Sequence, residues 1–217
     1  MKIEGVIFDL DGTLVHTIED IGDAANAMLH QHGLPEHSTS DYYKWIGNGA
    51  AKFIEHSLGF AVTQEQLNGY VMVFKEIYGG NLHNKSRLYE GIGQVLDILT
   101  ERGIKLSVLS NKPHHLTKKV TEFYLSDWDF NPVFGQREHI PRKPDPAAAL
   151  EIADRLGIRE ENIALVGDSQ GDLTTAEAAG MVPVGVSWGY GRLESNDQNE
   201  PHMIHQPQEL LAHLTLD

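Results

Sequence analysis

The sequence predicts an α/β fold: a doubly wound parallel sheet with an all-helical segment inserted after its first strand. Two observations lead to this prediction. Along most of the chain, short apolar runs alternate with amphipathic stretches of about ten residues, as in right-handed βαβ units. Between Thr17 and Tyr89, by contrast, the periodicity is helical and we find no convincing strand.

The first strand is predicted at Ile3 to Phe8, a short apolar run closed by the turn residues Asp11 and Gly12. A run of this length bounded by glycine is typical of a buried strand in a parallel sheet. Apolar residues recur at helical spacing between the later runs. Further strands are predicted over residues 104–109, 163–166 and 182–186, and helices over residues 92–102, 113–124, 145–156, 173–179 and 208–214.

The inserted segment is expected to contain helices over residues 17–31, 48–58 and 64–78. The sequence therefore divides into an α/β core over residues 1–16 and 88–217 and an α-helical segment over residues 17–87. Glycine, asparagine, glutamate and serine are frequent in residues 189–201, which predicts a loop there.

The length of 217 residues suits one domain, or a core domain with a smaller insertion. With 31 Asp and Glu against 17 Lys and Arg, the net charge of −14 disfavours nucleic acids and anionic membranes as partners. The lack of cysteine excludes disulfide frameworks and thiol nucleophiles. We find no apolar run near the roughly 18 residues of a membrane span and no secretory leader. We therefore expect a cytoplasmic protein, either a monomer or a small homo-oligomer.

Polar side chains cluster in sequence at the predicted strand ends. In an open parallel sheet the carboxyl ends of the strands share one edge, and ligands bind there. If the predicted strands are neighbours, several carboxylates, one or two amines and a hydroxyl meet at this edge. The residues concerned are Asp9, Asp11, Ser110, Asn111, Lys112, Lys143, Asp168 and Asp172.

Carboxylates held this close repel one another unless a cation is present. Hard oxygen ligands without cysteine or clustered histidine favour Mg²⁺, which completes its coordination with water and substrate phosphate. A carboxylate at a strand end can attack phosphorus and form an acyl phosphate. Since Asp11 lies two residues beyond Asp9, the two carboxyls could divide the nucleophile and acid–base roles. Thr13 or Ser110 could donate hydrogen bonds to phosphate oxygens.

Four segments together resemble the motifs of the haloacid dehalogenase superfamily, and they occur in the superfamily's order. The resemblance implies a Rossmann-like core, and the inserted helices resemble the superfamily's α-helical cap domain. Three further segments, WIGNG at 45–49, NKP at 111–113 and WGYG at 188–191, are similar to phosphoglycolate phosphatases in particular. The four motif-like segments are FDLDGTL at 8–14, LSNK at 109–112, RKPDP at 142–146 and VGDSQGD at 166–172.

The resemblance implies catalytic roles for four residues. Asp9 would be the nucleophile that takes up the phosphoryl group. Asp11 would protonate the leaving oxygen and then activate water, and its presence favours phosphoryl transfer over dehalogenation. Ser110 and Lys143 would hold the phosphoryl group during transfer.

The resemblance also implies the metal and substrate contacts. Asp9, Asp168 and the backbone carbonyl of Asp11 would bind Mg²⁺. Asp172 would support the metal site or orient the lysine that holds the phosphoryl group. Thr13 and Asn111 would be further substrate contacts.

The sequence thus predicts a Mg²⁺-dependent phosphatase acting on a small phosphorylated metabolite, with phosphoglycolate as the first candidate. A pyrophosphatase, a sugar-phosphate phosphatase or phosphomutase of the same fold, and a non-catalytic phospho-ligand binding module remain open. His16 stands where related phosphatases commonly have an acidic residue. In the inserted segment, Lys44, Asn48 and Lys52 are candidates for setting substrate specificity.

Overall fold

The computed structural model describes residues 2–191, 193 and 202–214 of the chain. Within these ranges the strands are β1 (Gly5–Phe8), β2 (Val15–His16), β3 (Arg87–Leu88), β4 (Lys105–Pro113), β5 (Phe130–Gln136), β6 (Ile163–Gly167), β7 (Val182–Val186) and β8 (His202–Ile204). Six of them form a parallel sheet in the order β5–β4–β1–β6–β7–β8. Most of the loop predicted at 189–201 lies outside the described residues.

Helices connect these strands and cover the sheet. Two short 3₁₀ turns, at Glu160–Asn162 and Pro207–Glu209, complete the regular structure of the described residues. The helices are α1 (Ile18–Gln31), α2 (Thr39–Trp45), α3 (Gly49–Leu58), α4 (Gln64–Gly80), α5 (Ile92–Glu101), α6 (His114–Tyr124), α7 (Ala147–Leu156), α8 (Gln170–Ala178) and α9 (Leu210–His213).

Side chains of the central strand β1 alternate between two apolar cores. Val6 and Phe8 pack in one core with residues of α5, α6 and α9, whereas Ile7 packs in the other with residues of α7 and α8. Burial on both faces explains why this strand is continuously apolar instead of alternating with polar residues. The predicted doubly wound α/β fold is confirmed.

The inserted segment contributes α1 to α4, which pack on one another. Its apolar side chains, including Tyr42, Phe53 and Phe74, are buried in the same core as Val6 and Phe8 of the sheet. The helices were predicted near their observed bounds, except α2, whose short polar sequence gives little periodic signal. The division into residues 1–16 with 88–217 and residues 17–87 stays a prediction.

The prediction that no strand occurs between Thr17 and Tyr89 is wrong, because the short strand β3 lies at the C-terminal end of this range. There β3 pairs antiparallel with β2, with Val15 opposite Leu88 and His16 opposite Arg87. Two residues are too few to produce an alternating pattern, which is why the sequence does not reveal this pairing. The chain therefore enters and leaves the inserted helices through two paired strands.

Asp20, in the first turn of α1, secures the return of the chain towards β3. Its buried carboxylate accepts hydrogen bonds from the backbone nitrogens of Lys85 (3.0 Å) and Ser86 (2.8 Å) and from the Ser86 hydroxyl (2.6 Å). Hydrogen bonds to a charged acceptor are stronger than neutral ones. This carboxylate joins the start of the insertion to its end.

The predicted end of the second core strand at Leu109 is also wrong. β4 continues to Pro113 and pairs there with Gln136 of β5, so Ser110 to Lys112 lie within the strand instead of after it. The polar residues at the end of β4 interrupt the apolar run from which the strand was predicted, but they do not end its pairing with β5. β5 itself was not predicted because Asn131, Pro132 and Gly135 interrupt its apolar run.

Among the described residues, no helix combines the length and the apolar character that crossing a bilayer requires.

Candidate active site

The carboxyl ends of three adjacent strands bring the predicted charged residues together, as expected from the sequence. Asp9 follows β1, Asp168 follows β6, and Asp172 lies in the first turn of α8. Lys143 reaches the same place from the segment between β5 and α7. All four side chains are buried. The juxtaposition arises because β4, β1 and β6 are neighbours in the sheet.

Lys143 is fixed at the centre of this group. Its ammonium donates hydrogen bonds to Oδ1 of Asp172 (2.5 Å) and to the carbonyl oxygen of Leu109 (2.8 Å), and it lies 3.0 Å from Oδ1 of Asp9. Burial alone would lower the pKa of Lys143, but the carboxylates of Asp172 and Asp9 outweigh burial and raise it. The side chain is therefore a permanent positive charge beside Asp9, and Asp172 orients it.

Asp9, Asp168 and Asp172 form a cluster with the geometry of a metal site. One carboxylate oxygen from each lies within 4.8 Å of the others. Burial and the nearby carboxylate of Asp172 together raise the pKa of Asp9 to about 7 and that of Asp168 to about 6, against the opposing effect of the Lys143 ammonium. Oδ1 of Asp9 is buried and has no aligned hydrogen-bond donor among the described residues. A buried set of carboxylate oxygens of this kind fits a hard divalent cation.

Backbone groups from a distant loop hold Asp168 in place. Its Oδ2 accepts hydrogen bonds from the backbone nitrogens of Tyr190 (2.6 Å) and Gly191 (3.0 Å). Gly12 also lies against this carboxylate with a φ of +92°, and a Cβ there would overlap it. Only glycine suits both the backbone conformation and this close approach.

The side chain of Tyr190 extends this network to the start of α1. Its hydroxyl accepts hydrogen bonds from the backbone nitrogens of Thr17 (2.5 Å) and Ile18 (3.0 Å), which begin the helix. Thr17 in turn donates from its hydroxyl to Oδ1 of Asp11 (2.7 Å). One loop thus contacts both Asp168 and the residues that support Asp11.

Substitution of Tyr190 by Phe is expected to lower the free energy of unfolding by about 1–3 kcal/mol, because two buried backbone donors lose their acceptor. Chemical denaturation followed by circular dichroism measures this difference. The matched control is Tyr43→Phe, whose exposed hydroxyl contacts His16 at 3.3 Å and should change stability by less than about 0.5 kcal/mol. Equal stability of Tyr190→Phe and the unmodified protein would show that the helix start does not depend on this hydroxyl.

A cavity adjoins this charged group, and three more of the predicted site residues line it. Asp11 and Ser110 line it, and Ser110 Oγ accepts a hydrogen bond from the backbone nitrogen of Lys112 (3.3 Å). Asn111 also lines it, but its amide donates to the carbonyl of Gly47 (3.0 Å) and to that of Lys143 (3.2 Å). Asn111 therefore joins the inserted segment to the core.

Thr13, predicted as a substrate contact, is fully buried and directs its hydroxyl towards Oδ1 of Asp168 at 3.4 Å. Its carbonyl accepts a hydrogen bond from Nε1 of Trp188 (3.1 Å). In this arrangement the threonine supports Asp168. Its assignment to substrate stays a prediction.

The inserted helices line one side of the cavity with apolar side chains. Ile21, Ala50, Phe53 and Phe74 line this side. None of the specificity candidates does so: Lys44 pairs with Asp41 and Lys52 with Glu55 at the surface. The carbonyl of the third candidate, Asn48, instead accepts a hydrogen bond from Arg142 of the core (2.6 Å).

Three site residues received no functional role from the sequence: Lys112, Tyr78 and Tyr190. Lys112 lies inside the LSNK segment, so the sequence already indicated that this lysine lies near the site. Tyr78 resembles any other apolar residue of α4, and nothing in the sequence indicates that it reaches the sheet edge.

Comparisons with known proteins agree with this geometry. A family model for haloacid dehalogenase-like hydrolases matches residues 3–180. The phosphoglycolate phosphatase of Haemophilus influenzae is 34% identical over 190 residues, covering 84% of this chain and 85% of that protein. The phosphoglycolate phosphatase of Escherichia coli is 30% identical, covering 94% and 89%. A crystal structure of a predicted phosphoglycolate phosphatase from Haemophilus somnus has a TM-score of 0.88 at 28% identity, covering 98% of each chain.

Proposed function

Since the chain belongs to the haloacid dehalogenase-like hydrolase family and is a phosphoric monoester hydrolase, we propose that it is a Mg²⁺-dependent phosphatase working through an aspartyl phosphate. Its substrate is a small phosphorylated metabolite, and phosphoglycolate is the first candidate. The observation that carries the proposal is the buried group of Asp9, Asp168 and Asp172 with Lys143 among them. The names of the relatives at 34% and 30% identity support the choice of substrate.

Asp9, Asp168 and Asp172 would hold the cation, with the backbone carbonyl of Asp11. When bound, Mg²⁺ supplies positive charge that offsets the carboxylates and the phosphate dianion. The buried Lys143 ammonium supplies a fixed charge of the same sign from the protein itself. Together they permit a carboxylate to approach a phosphate ester of like charge.

In the first step a carboxylate oxygen of Asp9 attacks phosphorus, and the bond from phosphorus to the ester oxygen breaks. Asp11 gives its proton to that leaving oxygen, so the alcohol departs neutral. Lys143 stabilises charge on the transferred phosphoryl group, and Ser110 donates a hydrogen bond to it. The product held on the protein is the Asp9 acyl phosphate.

In the second step Asp11, now ionised, takes a proton from a water molecule that attacks the phosphorus of the acyl phosphate. The bond between phosphorus and the Asp9 oxygen breaks, which releases inorganic phosphate and restores both carboxyl groups. The apolar side chains that the inserted helices place around the cavity would limit the access of bulk water to the acyl phosphate.

A phosphate-release screen over a panel of phosphorylated metabolites tests the proposed substrate class. We expect the highest kcat/KM for small phosphomonoesters, with phosphoglycolate among the best. Pyrophosphate and sugar phosphates in the panel represent the open alternatives, and isomerised sugar without net phosphate release would indicate a mutase. Binding of phosphate esters without any turnover would contradict the proposal.

Removal of divalent cations is expected to reduce phosphate release to background, because the carboxylate cluster would then repel the substrate. Addition of Mg²⁺ to the chelated protein should restore the activity. The measurement is steady-state phosphate release after EDTA treatment and dialysis, with and without added Mg²⁺. Full activity in the chelated sample would contradict a role for the cation.

A further inference from the structure

Lys112 is a buried cation that the proposed reaction leaves without a role. Its side chain is only 3% exposed, and its ammonium donates three hydrogen bonds. Two go to Oδ1 (2.9 Å) and Oδ2 (3.0 Å) of Asp11, and the third goes to the hydroxyl of Tyr78 (2.7 Å). An ammonium has three donors, so all of them are used.

These contacts determine where the Asp11 carboxylate points. Lys112 binds both of its oxygens, and the hydroxyl of Thr17 adds a further hydrogen bond to Oδ1 (2.7 Å). A carboxylate held by three charge-assisted hydrogen bonds from two sides has little rotational freedom. Proton transfer requires such placement, since the acid–base group must lie within hydrogen-bond reach of the reacting oxygen.

Tyr78 fixes the lysine in turn, and it comes from the inserted segment. It is buried near the end of α4, stacks on Phe74, and its ring centre lies 4.5 Å from Nζ of Lys112. The ring therefore provides both a hydrogen-bond acceptor and an aromatic face for the ammonium. Lys112 belongs to β4, so this contact connects the insertion to the sheet beside Asp11.

We propose that Lys112, held by Tyr78, is the positioning residue for the acid–base carboxylate of Asp11. The lysine does not touch the phosphoryl group. It sets Asp11 in place, and the hydroxyl of Tyr78 makes this placement depend on the packing of the inserted helices against the core. This inference rests on the proposed function, because it assigns to Asp11 the proton transfers described above.

The experiment compares Lys112→Met and Tyr78→Phe with the unmodified protein on two substrates that lack a carboxylate, glycerol 2-phosphate and p-nitrophenyl phosphate. For each ester kcat/KM reports the steps up to departure of the alcohol. Nitrophenolate leaves without protonation, whereas the glycerol oxygen needs the proton of Asp11. We expect Lys112→Met to lower kcat/KM for glycerol 2-phosphate by about 10- to 100-fold. For p-nitrophenyl phosphate the change should stay within about threefold, because its first step needs no acid.

Tyr78→Phe retains the pair of Lys112 and Asp11, so its effect should be several-fold, with the same preference between the two esters. The control variant is Lys118→Met, which removes an exposed lysine of α6 and should leave both values unchanged. If Lys112→Met does not fold, as judged by circular dichroism, Tyr78→Phe and Lys112→Arg are compared in the same way.

Several results would overturn the inference. Equal losses on both esters would indicate a purely structural role for Lys112, and unchanged kinetics of both variants would exclude a role in positioning. Phosphoglycolate is assayed alongside as a third ester, and a loss confined to it, with glycerol 2-phosphate unaffected, would show that the lysine binds a substrate carboxylate instead. Failure of the proposed function is distinguishable from all of these, since the unmodified protein would then release no phosphate from either ester or from phosphoglycolate.

Discussion

Asp9→Asn is expected to reduce phosphatase activity by roughly 10³-fold or more, because an amide cannot attack phosphorus. The substitution keeps the size of the side chain and removes a charge from a site where three carboxylates repel one another. The fold should therefore be retained. Steady-state phosphate release from p-nitrophenyl phosphate, with circular dichroism as the folding check, measures the loss.

The matched control for this variant is Asp154→Asn, which alters an exposed aspartate on α7 away from the cavity. It should retain full activity. A second readout is the acyl phosphate itself: rapid acid quenching with a ³²P-labelled substrate should trap label on the unmodified protein and none on Asp9→Asn. Undiminished turnover by Asp9→Asn would remove the nucleophile from the proposed mechanism.

Lys143→Met is expected to impair both stability and activity. It leaves the buried carboxylates of Asp9 and Asp172 without their compensating charge, which costs about 3–5 kcal/mol when one partner of a buried ion pair is removed. For a chain of this size that corresponds to a fall in melting temperature of roughly 10 °C. Phosphate release should fall by about 10²-fold or more, because charge on the transferred phosphoryl group loses its fixed partner.

Thermal unfolding with and without Mg²⁺ makes this prediction specific. Since the cation neutralises the same carboxylates, Mg²⁺ should raise the melting temperature of Lys143→Met more than that of the unmodified protein. The control is Lys105→Met, which changes an exposed lysine at the start of β4. If Mg²⁺ stabilised both proteins equally, Lys143 and the cation would not share the carboxylates.

Much of this site could be predicted from the sequence because the chemistry follows strand ends. The positions of Asp9 and Asp168 required only that two apolar runs become adjacent parallel strands, which β1 and β6 do. The function of Asp172 was left open between the metal site and Lys143. In the structure Asp172 accepts a 2.5 Å hydrogen bond from Lys143, and one of its carboxylate oxygens also lies within 4.8 Å of oxygens of Asp9 and Asp168.

The contacts that could not be predicted are those between side chains far apart in the chain. Tyr78 and Lys112 are separated by 34 positions, and their hydrogen bond joins the end of α4 to the end of β4. Tyr190 reaches Thr17 across 173 positions. Helical periodicity can predict that the side chain of Tyr78 is buried. It cannot predict which residue its hydroxyl group contacts, because that partner depends on tertiary packing.

The pairing of β2 with β3 has a consequence for how such a protein can diversify. The two points where the chain leaves and rejoins the α/β layer lie one strand spacing apart, about 5 Å. Any segment whose own ends lie that close can be spliced between them, whatever its length, without displacing a strand of the sheet. A different segment joined at these two strands would change recognition of the alcohol part of a substrate, and it would have to replace the contact that Tyr78 makes with Lys112.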